Sequence, residues 1–191
     1  MDLGRAAGFT IIELIVVLSI VAILSALAAP DLAMFIKNNR VKGQTFDLLN
    51  TIQYARSEAA KRRVRVIMCR SANPTAASPT CGGTANTWTT GWLVFASGDT
   101  NSTYETANDT LLRIGPPAPM GVTVRTNTTC NQNLEYNPDG TTNASGGIAR
   151  FAICDTSRGG AYGRQIVVPP HGRPKLEQGS QSSPINCTSP T

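Results

Sequence analysis

From Phe9 to Ala29 the chain reads FTIIELIVVLSIVAILSALAA, 21 residues in which Glu13 is the only charge. As a helix this run reaches about 31 Å, enough to cross the hydrocarbon core of a bilayer once. No soluble domain leaves such a stretch in water, so residues 9–30 are expected to form a transmembrane helix. A carboxylate in that setting costs about 2.5 to 3.5 kcal/mol when unpaired. Glu13 therefore requires a positive partner.

Ahead of the run stands MDLGRAAG, residues 1–8, whose Arg5 is expected to hold the N-terminus in the cytoplasm and send the rest across the membrane. A secretory signal peptide is the rival reading. It calls for a small-residue cleavage site after the apolar core, whereas here a helical pattern continues. Residues 31–176 are long enough for one compact domain, and 177–191 form a polar, Pro-containing tail.

The five cysteines fit an oxidising compartment, with two disulfides and one thiol left over. Cys69 with Cys81 would close the NPTAASPT loop, and Cys154 with Cys187 would pin the tail. Fifteen such arrangements exist for two bridges among five cysteines, and Cys130 can replace either partner. None forms a CxxC pair and His171 is the sole histidine, so neither metal nor cofactor is expected.

Past Pro30, Val41, Thr45, Leu48, Ile52, Ala55 and Ala59 recur at steps of three and four, the period of an amphipathic helix. Lys61 to Arg63 close it as cations suited to a helix C-terminus. Short β-type runs follow at residues 64–69, 91–95, 111–114, 122–125, 134–136, 148–154 and 163–168, separated by Pro, Gly, Asn and Ser clusters. The fold class expected is α+β: a long N-terminal helix, transmembrane in its first half and amphipathic in its second, packed on antiparallel sheet.

The formal charge is +5, and Arg150, Arg158, Arg164, Arg173 and Lys175 crowd the last third of the chain. These five are candidates for non-specific DNA binding. Neutralising about four phosphates gives a salt slope near −3.6, roughly a hundredfold weakening between 50 and 200 mM salt. Nucleophile elbows, zinc-protease helices and P-loops are absent from the sequence, and no enzyme activity is expected.

The leader ending in Gly8, followed by Phe9, Thr10, two apolar residues and Glu13, resembles the processing signal of type IV prepilins and pseudopilins. That resemblance implies cleavage after Gly8 by a prepilin peptidase, methylation of Phe9 by the same enzyme, and pairing of Glu13 with the N-terminal amine of a neighbouring subunit. LNTIQYARSEAAKRRVRVIMC (Leu49 to Cys69), GWLVF, YNPDG, FAICD and GRQIVVPPHGRPK resemble the FimT/FimU minor pilins and the H-type (GspH) pseudopilins. Implied are a type IV pilin-like fold, other minor pilins as partners, and an inner-membrane anchor with a periplasmic domain before assembly into a pilus or pseudopilus. The resemblance also implies a place at or near the tip of a type IV pilus or, alternatively, a role in type II secretion. FimT proteins carry a Gly-Arg-x-Arg DNA-contact motif. Here the matching residues are Gly172, Arg173, Pro174 and Lys175, so a bidentate arginine is replaced by a point charge.

Overall fold

A computed structural model describes residues 9–130, 132–142 and 147–190. The chain divides into two units, Met1–Lys37 and Asn38–Thr191, each taken by itself. Helix α1, Ile11–Arg62, supplies elements to both.

Within the first unit, from Ile11 to Leu27, the helix is apolar on every side but for Glu13, and its large side chains face outward with nothing of the unit against them, from Ile11 at 79% exposed to Leu27 at 70%. A helix of that kind is stable in lipid or among other helices. No single described helix is long and apolar enough to cross a membrane; Ile11–Leu27 and Asp31–Arg62 meet the length and composition requirement only as a pair.

The second unit explains the amphipathic half. Val41, Thr45, Leu48, Ile52, Ala55 and Ala59, the stripe expected from spacing, are the buried face of α1. Thr45 Oγ1 donates to the Val41 carbonyl at 2.6 Å and Thr51 Oγ1 to the Asp47 carbonyl at 2.8 Å, so the hydroxyls on this face satisfy themselves on the preceding turn. The helix ends where Arg63 takes a left-handed φ of 58° and its amide reaches the Ala59 carbonyl at 2.9 Å. Lys61 and Arg62 turn back to Glu58, at 3.6 and 2.5 Å. The Arg62 hydrogen bond in particular holds the Glu58 carboxyl below its ordinary range.

Eight strands follow among the described residues: β1 Val66–Arg70, β2 Trp92–Ala96, β3 Thr110–Gly115, β4 Val122–Thr126, β5 Asn133–Tyr136, β6 Ala149–Asp155, β7 Gly159–Val168 and β8 Lys175–Gln178. They form two four-stranded antiparallel sheets, ordered β3-β2-β1-β5 and β4-β6-β7-β8. Alternate residues of both sheets, among them Met68, Trp92, Val94 and Tyr136 from the first and Val124, Phe151, Ile153 and Ile166 from the second, share one core with the helix stripe. Trp88 closes it, its ring edge-on to Phe151 at 5.1 Å.

Sheet packed on one amphipathic helix is expected to bury a single face against it. The first sheet is instead buried on both, because β1 and β2 are continuous apolar runs rather than alternating ones. Ile67, Cys69, Leu93 and Phe95 form a second, smaller cluster on the face away from the helix, with Tyr104, Leu111 and Cys81 against it. The Cys69–Cys81 disulfide staples the covering loop to β1.

Strand β8 is absent from the runs expected of the sequence. All four of its residues are exposed, so KLEQ shows no alternation, and its existence rests on backbone pairing with β7 from Val167↔Lys175 to Arg164↔Gln178. The strand runs past residue 176, beyond the expected start of a polar tail. The segment after β8 is tied down: the Gly179 amide donates to the Gly163 carbonyl at 2.9 Å, the Ile185 amide to the Gly160 carbonyl at 3.0 Å, and Cys187 bonds to Cys154. A Cβ at Gly160 would collide with the Ile185 carbonyl oxygen, so only glycine admits this approach.

Cys130, the remaining thiol, is 1% exposed, and burial pushes its pKa from an ordinary 9.0 up to about 12. Burial also raises the Tyr136 phenol, against a smaller opposing effect of the Arg56 charge. An unfolded chain loses the thiol proton near pH 9 while the folded one keeps it to about 12, so the unfolded state binds fewer protons across that window and stability falls as pH rises. Unfolding free energies from urea melts are expected to decline between about pH 9 and about pH 11, by at most about 1.4 kcal/mol per pH unit for each such group. In Cys130→Ala the decline should be shallower; an identical slope would exclude the thiol as a contributor.

Candidate functional site

The N-terminal apolar segment opens with a helix cap. Thr10 Oγ1 accepts from the Glu13 amide at 3.3 Å, and the Leu14 amide donates to the Thr10 carbonyl at 3.2 Å. Thr10 is thus the N-cap and Glu13 the third helical residue, the Thr-x-x-Glu spacing of a capping box. The first turn is also where the helix dipole favours a carboxylate. Among the described residues Glu13 forms no ion pair. Phe9 precedes the cap and is 88% exposed; Gly8 lies outside the described residues.

The five late cations do not form one patch. In an antiparallel sheet directly paired residues share a face. Arg150 pairs with Val167, and Val167 with Lys175, while the core takes Ala149, Phe151, Ile153, Ile166 and Val168. Arg150 and Lys175 therefore project together, away from the helix and about 10 Å apart. Arg164 pairs with Ile153 and so points to the opposite, helix-bearing side. Arg158 is committed internally: its side chain is 12% exposed and 3.5 Å from Asp155, Nη1 donates to Asn38 Oδ1 at 2.8 Å, and the guanidinium lies 4.8 Å from the Tyr162 ring centre.

Arg173 sits elsewhere again, where three separate stretches of the chain converge. A groove of about 450 Å³ is lined by Gln53, Arg56 and Ser57 of α1, by Asp139 and Gly140 of the YNPDG turn, and by Arg173. Arg56 Nε donates to the Gly140 carbonyl at 3.1 Å, and Tyr136 Oη to the Gly172 carbonyl at 3.1 Å. The Asp139 carboxyl is held low by hydrogen bonds from the Thr141 hydroxyl and amide. Arg56 is not marked in the sequence, because nothing in a polar helix face tells which residue a distant turn will meet. Thr10 is legible in principle from the Thr-x-x-Glu spacing.

A helix laid on two antiparallel sheets, preceded by an apolar segment with one acid in its first turn, defines a subunit of the type IV pilin class. Sequence comparison makes this specific. The family model described as type II transport protein GspH matches residues 44–172, and the chain belongs to that family, whose members are structural pilins acting as minor pilins or pseudopilins. The prokaryotic N-terminal methylation motif matches residues 3–29. The fold is shared with two crystal forms of the type IV minor pilin FimU of Pseudomonas aeruginosa. One is 22% identical with a TM-score of 0.55, covering 75% of this chain and 92% of FimU. The other is 21% identical with a TM-score of 0.51, covering 71% and 91%. No curated protein matches the chain by sequence.

Proposed function

We propose that this chain is a minor pilin that enters a type IV pilus through Phe9–Ala29, at or near the tip, after cleavage between Gly8 and Phe9 and methylation of Phe9. The observation that carries this reading is the outward-facing apolar surface of Phe9–Ala29, in which Glu13, in the first helical turn, is the only charge. Such a surface needs lipid before assembly and neighbouring helices after it, and the ammonium of a neighbour's Phe9 is the charge that makes a buried Glu13 tolerable. Before assembly the chain is anchored in the inner membrane with the unit from Asn38 in the periplasm, a location that two disulfides favour. No catalytic step is assigned to it.

The second reading, an H-type pseudopilin of type II secretion, draws on the family description. Deleting the gene separates the two. Loss of surface pili with secreted enzymes unchanged is the expected result; the opposite pattern would place the chain in the secretion machine.

DNA contact, in this reading, falls to Arg173 with Arg150 and Lys175, since Arg158 and Arg164 are drawn to other surroundings. Three phosphates give a salt slope of about −2.7, roughly 40-fold weaker binding between 50 and 200 mM salt. Mobility shifts of a non-specific duplex with the full chain in neutral detergent test this. Arg173→Ala should flatten the slope by about one unit and Arg158→Ala should not. No shift at low salt would end the DNA reading and leave the pilin reading intact.

A further inference from the structure

Arg164, one of the two cations that leave the DNA set, lines a second notch of about 240 Å³, where the first turns of the second unit meet β7 and β8. Lys42 and Arg164 line it together with Asn38, Tyr162 and Gln178, and no carboxylate is among its lining residues. The polar groups are arranged as donors. Asn38 spends its Oδ1 on Arg158 at 2.8 Å and Gln178 its Oε1 on Arg164 at 3.4 Å; an amide whose oxygen is occupied still has two N–H groups to offer. Lys42 is exposed, its ammonium in no ion pair among the described residues. Behind the notch Arg158, its charge already met by Asp155 at 3.5 Å, packs over the Tyr162 ring and holds that side of the site in place.

We infer that this notch binds a phosphate group, and that the source is the headgroup of an anionic phospholipid. The shape and charge specify an oxyanion: a guanidinium able to grip two oxygens, an ammonium, and neutral N–H donors around a concave site. The chain's own order supplies the source. Asn38 comes two residues after Ile36, the last of an apolar series, Leu32, Met34, Phe35 and Ile36, left exposed in the first unit. Lys37, Arg40 and Lys42 come at once after it, so three cations follow directly on the apolar series, close enough to a bilayer surface for anionic headgroups to attract them. This inference rests on the reading that Phe9–Ala29 is embedded in the membrane. A subunit seated on headgroups through Lys42 and Arg164 would be held at the bilayer surface until assembly draws it away.

The test places the full chain in vesicles of phosphatidylcholine alone or with phosphatidylglycerol, measuring flotation and amide exchange over residues 159–164 and 176–179. Flotation with both lipids, and exchange on the order of tenfold slower with phosphatidylglycerol, is the expected result. Lys42→Gln and, independently, Arg164→Gln should remove the slowing, whereas Lys175→Gln, on the other face of the sheet, should keep it. Equal exchange in the two lipids, or loss of the effect in Lys175→Gln, overturns the notch. Slowing produced in phosphatidylcholine vesicles by millimolar inorganic phosphate alone, with none from phosphatidylglycerol, assigns it to free phosphate and overturns the lipid source. Absence of flotation in either lipid marks failure of the membrane reading itself.

Discussion

In cells carrying Glu13→Ala, the chain is expected to stay in the membrane at its normal level and vanish from sheared filaments. The argument is one of paired charges. In lipid the lone carboxylate costs about 2.5 to 3.5 kcal/mol, and pairing with a neighbour's ammonium inside the helical bundle relieves it. Alanine removes that incentive and leaves the neighbour's ammonium unpaired, a loss of about 3 to 5 kcal/mol, or a factor of a hundred or more in incorporation. The cap geometry offers a sharper variant. Glu13 stands three residues after Thr10, whose hydroxyl accepts its amide, and glutamine serves that capping position as well as glutamate does. Glu13→Gln keeps the cap and discards the charge. It should fail as Glu13→Ala fails; near-normal incorporation of the glutamine variant would show that Glu13 works by starting the helix and not by charge.

Removing the Cys154–Cys187 bridge, as Cys154→Ser with Cys187→Ser, is expected to cost the second unit about 4 kcal/mol, from the chain entropy of a loop this long. The bridge closes 33 residues, against 12 for Cys69–Cys81, for which the same relation gives about 3 kcal/mol. Either figure is a large part of the 5 to 15 kcal/mol that about spans small-domain stability. Urea midpoints of the two double variants would check the order. Exchange at the Gly179 and Ile185 amides, which donate across to Gly163 and Gly160, should rise in the Cys154 and Cys187 variant before the rest of the unit opens. If those amides stay protected, hydrogen bonds and not the bridge hold the tail.

The helix is legible in the sequence because its apolar residues recur at three and four, and the same spacing names the buried face residue by residue. Strands β1, β2 and β6 are legible as apolar runs between turn clusters. The division into two sheets is not, since continuous apolar runs say that both faces are covered without saying by what. Strand β8 carries no pattern: its pairing is a property of the β7 edge it adds to. The basic cluster misleads for a related reason. Nearness in sequence suggests nearness in space, yet the Ile153↔Arg164 pairing puts Arg164 on one side of the sheet and the Arg150↔Val167 pairing puts Arg150 on the other. Side chains of a strand alternate, and Ile153 stands three residues from Arg150 on β6, so Arg164, paired with Ile153, faces the side opposite to Arg150.

The odd cysteine acquires a meaning once its surroundings are known. Cys130 donates through Sγ to Asn127 Oδ1 at 3.5 Å and lies 3.9 Å from the Arg150 carbonyl on β6, the strand that also bears Cys154. Burial pushes its pKa up to about 12, so the sulfur stays protonated at neutral pH, and the thiolate is the form that attacks a disulfide. In the open chain the same sulfur is an ordinary competitor for either partner. Closing the core over Cys130 therefore protects both bridges: in the folded unit the one sulfur that could exchange with them is walled off from either.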